Sequence, residues 1–198
     1  MGTKVGGDAD DTVAELFSLG ALILAQPRRP VLRRYHGPKM NLSAADGTVF
    51  GHLHEHGTYA YDVQDLKGRP LLRIDLISGA VFGRPLFQLT DDRDRLIGEV
   101  QSHGRVLRAR QLQVRARGGM LHLTRHAPMG RIWLVQDESG DRLGRVTAST
   151  VRSFDGLQQY AVELDRRVGA EQGRLIVAAV VCLQVVRRWI GGSEGNPA

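Results

Sequence analysis

The chain has 198 residues, 42% of them apolar and 24% charged, a length that buries one substantial core and, with no long linker, argues against two separate domains. Its formal net charge of +6 rests on 27 basic residues of which only Lys4, Lys39 and Lys67 are lysines, and the planar fork of the arginines suits phosphate or carboxylate. The single cysteine, Cys182, excludes an intramolecular disulfide and any multi-cysteine metal site.

Residues 1–18 carry Asp8, Asp10, Asp11 and Glu15 against Lys4, which predicts a flexible acidic tail, with a turn of helix over 11–19. The tail lacks the basic-then-apolar pattern of a secretory signal, so a cytoplasmic location is expected. A short apolar run at 22–26 ends at Pro27 and predicts a first strand. From 39 to 166, short β-prone runs alternate with turn residues as in an antiparallel meander. Strands are predicted at 39–44, 48–55, 59–65, 70–77, 85–91, 95–101, 110–116, 120–125, 131–137, 142–149 and 157–165. In the strand over 110–116, Leu112, Val114 and Ala116 alternate with Gln113, Arg115 and Arg117, so one face is apolar and the other wet.

A phrase recurs three times within the meander: Asn41-Leu42-Ser43 with Asp46 and Gly51, Gln88-Leu89-Thr90 with Asp94 and Gly98, and Trp133-Leu134-Val135 with Asp141 and Gly144. The marker glycines lie 47 and 46 residues apart, which predicts one structural unit repeated three times inside a single domain. Asp91, Asp92 and Asp94 are read as a polar hairpin loop.

Residues 175–183 are uniformly apolar and run on to Trp189 and Ile190. That length without a turn signal exceeds a normal strand and predicts a helix despite its many β-branched residues. A helix apolar all round must be enclosed. A bilayer span needs about 20 consecutive apolar residues, more than this run supplies between Arg174 and Gln184. The better enclosure is the meander itself, curled into a closed barrel around the helix, which also removes the sheet edges. Arg187 and Arg188 then fall at the helix carboxyl end. The predicted organisation is a tail over 1–18, one barrel domain over 19–191 and a disordered tail over 192–198; the fold class is mainly β, a closed antiparallel barrel of about 12 strands with a hydrophobic C-terminal helix through its centre.

The first strand followed by a basic loop, the repeated strand-turn-strand with Asp and Gly, and Tyr160-Ala161-Val162-Glu163-Leu164-Asp165 leading into Arg174-Leu175-Ile176-Val177-Ala178-Ala179 together resemble the tubby C-terminal-like superfamily, which includes phospholipid scramblases and LURP-one-related proteins. The resemblance spans about 20–190 and lies in layout more than in letters. It implies a twelve-stranded barrel around a C-terminal helix and a non-catalytic role at membranes or in signalling. The chain lacks the proline-rich amino terminus and cysteine run of scramblases. Asp155, Glu163 and Asp165 beside Arg166 and Arg167 are too sparse for a calcium site of several oxygens.

Two basic segments without acids are candidates for anionic phospholipid head groups: Arg28, Arg29, Arg33, Arg34 and Lys39, and Arg105, Arg108, Arg110, Arg115 and Arg117. The same charges would serve equally as a solvated face, or as a non-specific nucleic-acid or scaffold surface, although few aromatics accompany them for base stacking. The expected location is cytoplasmic, peripheral at the inner membrane face. His52, His54 and His56 project from one face of a strand and could share zinc with a ligand from elsewhere; their other reading is exposed strand histidines. The His-Gly pairs His56-Gly57 and His103-Gly104, five residues after a marker glycine in two repeats, favour a shared turn geometry. No nucleophile elbow and no phosphate loop is present, so no cofactor and no catalytic residue is expected.

Overall fold

The computed structural model describes residues 17, 19–27, 39–57, 59–79, 84–103, 111–127, 130–151 and 157–192. Twelve strands form a closed antiparallel barrel: β1 (Ala21–Ala25), β2 (Met40–Ala44), β3 (Val49–His56), β4 (Ala60–Asp65), β5 (Pro70–Ser78), β6 (Leu86–Asp91), β7 (Leu96–His103), β8 (Gln111–Ala116), β9 (Gly119–Arg125), β10 (Ile132–Asp137), β11 (Arg142–Val151) and β12 (Leu157–Leu164). Neighbours in sequence are neighbours in the ring, and β1 closes it by pairing with both β12 and β2. Every predicted strand is found, with ends displaced by two residues at most. The tail predicted over 1–18, apart from Phe17, and the tail predicted over 192–198, apart from Gly192, which ends the C-terminal helix, lie outside the described residues.

The repeat becomes a pseudo-threefold arrangement. Gly51, Gly98 and Gly144 lie on β3, β7 and β11, four strands apart in the ring. The ring thus divides into β2–β5, β6–β9 and β10–β12 with β1 supplying the fourth strand of the last group. Each marker glycine pairs with the residue just before a register shift, at Leu42, Leu89 and Val135. The shift tips each glycine towards the next strand, where a Cβ would run into the carbonyl oxygen of Gln64, Arg115 or Glu163 respectively. Glycine recurs there because no side chain fits, the usual demand of a β-bulge at close approach.

Each unit has a tight turn built on one plan. At Asp65–Arg69, Asp65 N–H donates to the Arg69 carbonyl and Gly68 N–H donates back to the Asp65 carbonyl, both at 3.0 Å. The same pair of bonds closes Ala44–Thr48, Asp91–Arg95 and Asp137–Asp141. The fourth residue of each turn has positive φ, supplied by Gly47, Gly68 and Gly140, but by Asp94 at 56°, a conformation aspartate tolerates better than most residues. The carboxylates read in sequence as a polar loop at 91–94 are therefore a structural device, and Asp91 is buried.

The helix α1 (Ala170–Gly192) enters the lumen after the β12 turn. Ile176 to Val186 are buried on every side, and α1 touches β5, β7, β8 and β12, strands from opposite walls. Inward residues of the wall, among them Leu24, Leu53, Ile74, Leu89, Val114, Val135 and Val162, complete one continuous core. The helix starts five residues before the apolar run and continues past Arg187, so Arg187 is not its terminus. Its first turn is polar because it stands in the barrel mouth. Arg187 instead turns back onto β12, with its guanidinium 5.7 Å from the centroid of the Tyr160 ring and a bond donated to the Tyr160 hydroxyl at 3.4 Å. Among the described residues no helix is long and apolar enough to cross a membrane.

Two side-chain tests follow. In Gly98→Ala the new Cβ sits 2.6 Å from the Arg115 carbonyl oxygen, and an overpacked wall of this kind costs about 1–3 kcal/mol; Gly118→Ala, which meets nothing within 4 Å, leaves the denaturation midpoint nearly unchanged. Gln184 is buried in the lumen, and neither amide atom is hydrogen-bonded among the described residues. Removing that unsatisfied amide in Gln184→Met gains about 1 kcal/mol in urea unfolding; a loss of that size would show that the amide has a partner in solution.

Candidate functional site

Because all neighbours are antiparallel, the connections alternate between two ends of the barrel. The entry end, where α1 begins, holds the tight turns 45–48, 66–69, 92–95, 117–118 and 138–141 together with 165–169. At the far end lie the connections between β1 and β2, β3 and β4, β5 and β6, β7 and β8, β9 and β10, and β11 and β12.

This alternation sorts the predicted basic residues. Arg28, Arg29, Arg33, Arg34, Arg105, Arg108 and Arg110 lie outside the described residues, but the strand ends that flank them, at Ala25 and Met40 and at His103 and Gln111, are all at the far end. Lys39 is at the far end too. Its ammonium is 2.8 Å from Glu55 on β3, so this charge is already matched. Arg115 and Arg117 run towards the entry end, Arg117 in the β8–β9 turn, and β8 stands six places round the ring from β2. The three described members of the set are therefore not one patch.

The histidine trio projects outwards from β3, as period two demands, but does not converge. His52 Nδ1 lies 3.1 Å from Asn41 Oδ1 on β2, while His56 Nε2 lies 2.9 Å from Asp62 Oδ2 on β4. The rings are 6.2 and 6.5 Å apart in succession. Among the described residues no three His, Cys, Asp or Glu side chains could hold an ion. His103, which matches His56 in the repeat, likewise reaches the next strand, to Gln113 Oε1 at 3.0 Å. Burial pushes the Cys182 thiol well up, which makes it an inert core residue.

A cleft of about 720 Å³ opens at the entry end, between the turns of β6–β7, β8–β9 and β10–β11 and the first turns of α1. One wall is held by the Asp91 clasp. The Asp91 carboxylate accepts the amides of Arg93 and Arg95 at 2.9 Å each and the Arg95 Nε–H at 2.8 Å. Burial raises its pKa, but the bonds from Arg95 and Arg93 outweigh it and hold the carboxyl below its ordinary 3.8. Asp65 is clasped in the same way by Arg69 and Lys67 and is lowered for the same balance of reasons. Across the cleft, Arg174 stacks over Phe17 at 5.5 Å, with its Nε–H buried and without an acceptor among the described residues. Arg117, Asp92, Asp137, Glu138 and Glu171 also line it. Sequence inspection missed this site because its lining comes from four segments spread over 91–175. Only the recurrence of acidic turns hinted at it.

Among solved structures, the chain is similar to the X-ray structure of a protein from Arabidopsis thaliana, with 16% identity over 89% of this chain and 98% of that one and a TM-score of 0.52. This likeness is one of fold. No protein-family model matches the chain, and no curated protein does.

The clasps make a pH prediction. A carboxyl held below its ordinary value stabilises the fold fully above that value, and the contribution disappears as pH falls through the lower folded value. Acid unfolding of the wild type should therefore steepen below about pH 4. The double variant Asp65→Asn, Asp91→Asn should be less stable at neutral pH and should show a flatter acid limb, measured by thermal melts across pH.

Proposed function

We propose that the protein is a non-catalytic barrel module that docks the far end of its barrel on anionic phospholipid at a membrane surface. The observation that supports this reading is the sequence of features round that end. Tyr59 and Ile77, 40% and 55% exposed, stand on adjoining strand ends, where the Tyr59 carbonyl accepts the amide of Leu76. Exposed Arg84 follows in the next connection. The strand ends Ala25 and Met40 on one side and His103 and Gln111 on the other flank this apolar pair, and the sequence between each two carries Arg28, Arg29, Arg33 and Arg34, and Arg105, Arg108 and Arg110.

Such an arrangement suits an interface. Amphipathic and aliphatic side chains enter the head-group boundary while the surrounding cations meet lipid phosphate, each contributing about 1 kcal/mol near the surface. Arg115 and Arg117 belong to the other end and drop out of the docking face, and Lys39 is neutralised by Glu55. The resemblance to tubby-like and scramblase-related barrels agrees with a membrane role without adding a residue to it.

Vesicle sedimentation tests the reading. Binding should rise with phosphatidylserine content, weaken with salt, and fall about tenfold in Tyr59→Ser, Ile77→Ser and again in Arg105→Gln, Arg108→Gln, Arg110→Gln, while Arg117→Ala leaves it unchanged. Equal behaviour on neutral and anionic vesicles overturns it, and retention by oligonucleotides with no lipid binding would transfer the basic connections to nucleic acid.

A further inference from the structure

We propose that the entry-end cleft is a binding site for a small dipolar molecule, with an anionic carboxylate or phosphate at one end and an ammonium group at the other. The inference does not depend on the membrane reading, which concerns the opposite end of the barrel.

The size is right for a small ligand: about 720 Å³ falls within the roughly 300–1,000 Å³ of such sites. The charge pattern selects its chemistry. Elsewhere on the barrel, charges facing one another are paired, as in Arg145–Glu163 at 2.8 Å and Arg73–Asp75 at 2.9 Å. On one wall of the cleft Arg95 is likewise paired with Asp91, at 2.6 Å, and Arg93 stands beside that pair; among the described residues the remaining charges of the cleft are not paired in this way. Neither Arg117 nor Arg174 forms an ion pair among the described residues, and Arg174 Nε is a buried donor with no acceptor. Asp92, Asp137, Glu138 and Glu171 line the same space and likewise form no ion pair among the described residues.

A buried donor without an acceptor is costly unless something supplies one. A simple anion would satisfy the arginines but face four carboxylates; a simple cation would meet the reverse. A molecule with both charges answers both sets. Its anionic end falls to Arg174 and Arg117, where arginine offers a forked donor set, and its ammonium to the carboxylates of the β6–β7 and β10–β11 turns. Arg174 is held for this by Phe17, whose ring carries the guanidinium and whose backbone abuts Gly173 so closely that no Cβ would fit.

Backbone amide NMR titrations of the full chain test this, with phosphoethanolamine and β-alanine as dipolar probes and inorganic phosphate and ethylamine as single-charge probes. Both dipolar probes should shift amides of the three turns and of the first turns of α1, at concentrations about tenfold lower than the single-charge probes require. Arg117→Ala, on an exposed turn, should weaken the dipolar probes about tenfold, and Arg174→Met, which keeps an apolar stem over Phe17, should do the same. Phosphatidylethanolamine vesicles shifting the same amides would identify the dipole as a lipid head group, and response to the free probes alone would identify a solute. No shift in the cleft with either dipolar probe, or phosphate alone matching phosphoethanolamine, overturns the proposal.

Discussion

A chain segment inside a closed barrel has no sheet edge to join. The twelve strands satisfy one another's backbone groups around the ring, so whatever fills the lumen must satisfy its own, and the α-helix is the compact way to do so. This outweighs the strand preference of Val177, Val180, Val181, Val185 and Val186, which sit helical and buried. The dependence is mutual. A ring wider than an eight-stranded one leaves a core that wall side chains do not fill by themselves, and α1, apolar all round, supplies the rest. Gln184 is the exception inside it, kept out of water with its amide unanswered.

The threefold repeat distributes this closure evenly. A bulge and a glycine on β3, β7 and β11 recur every fourth strand, and the turn that precedes each one has the same pair of backbone bonds. Asp65 and Asp91, at the ends of β4 and β6, lock their turns with Arg69 and Arg95. The consequence is an end-to-end difference: the entry end is a crown of short, bonded turns around the helix, whereas most connections at the far end are longer. Rigid turns are suited to hold a small ligand by fixed charges. The far end adds exposed Tyr59, Ile77 and Arg84 beside its longer connections.

How far a residue's neighbours could be foreseen varied with their distance in sequence. Strand spacing, the repeat and the apolar helix rest on local periodicity, and all survive in the structure. The histidine trio was correctly placed on one strand face, but its partners, Asn41 and Asp62, come from strands on either side, and they divide the trio instead of gathering it. Lys39 read as an uncompensated charge because Glu55 is sixteen residues away and meets it only through the β2–β3 register.

Short amphipathic strands, tight Asp and Gly turns and one wholly apolar segment specify a helix-filled barrel already at the level of the chain, since periodicity and turn chemistry act over a few residues. Which charges stand together follows from the closed ring. Ring closure and alternation of the antiparallel strands send Arg117 to one end and the strand ends Ala25, Met40, His103 and Gln111 to the other, and they bring Arg117 and Arg174 to a single cleft with Asp137 and Glu171. Those meetings depend on register and ring position, which no short window of the chain contains.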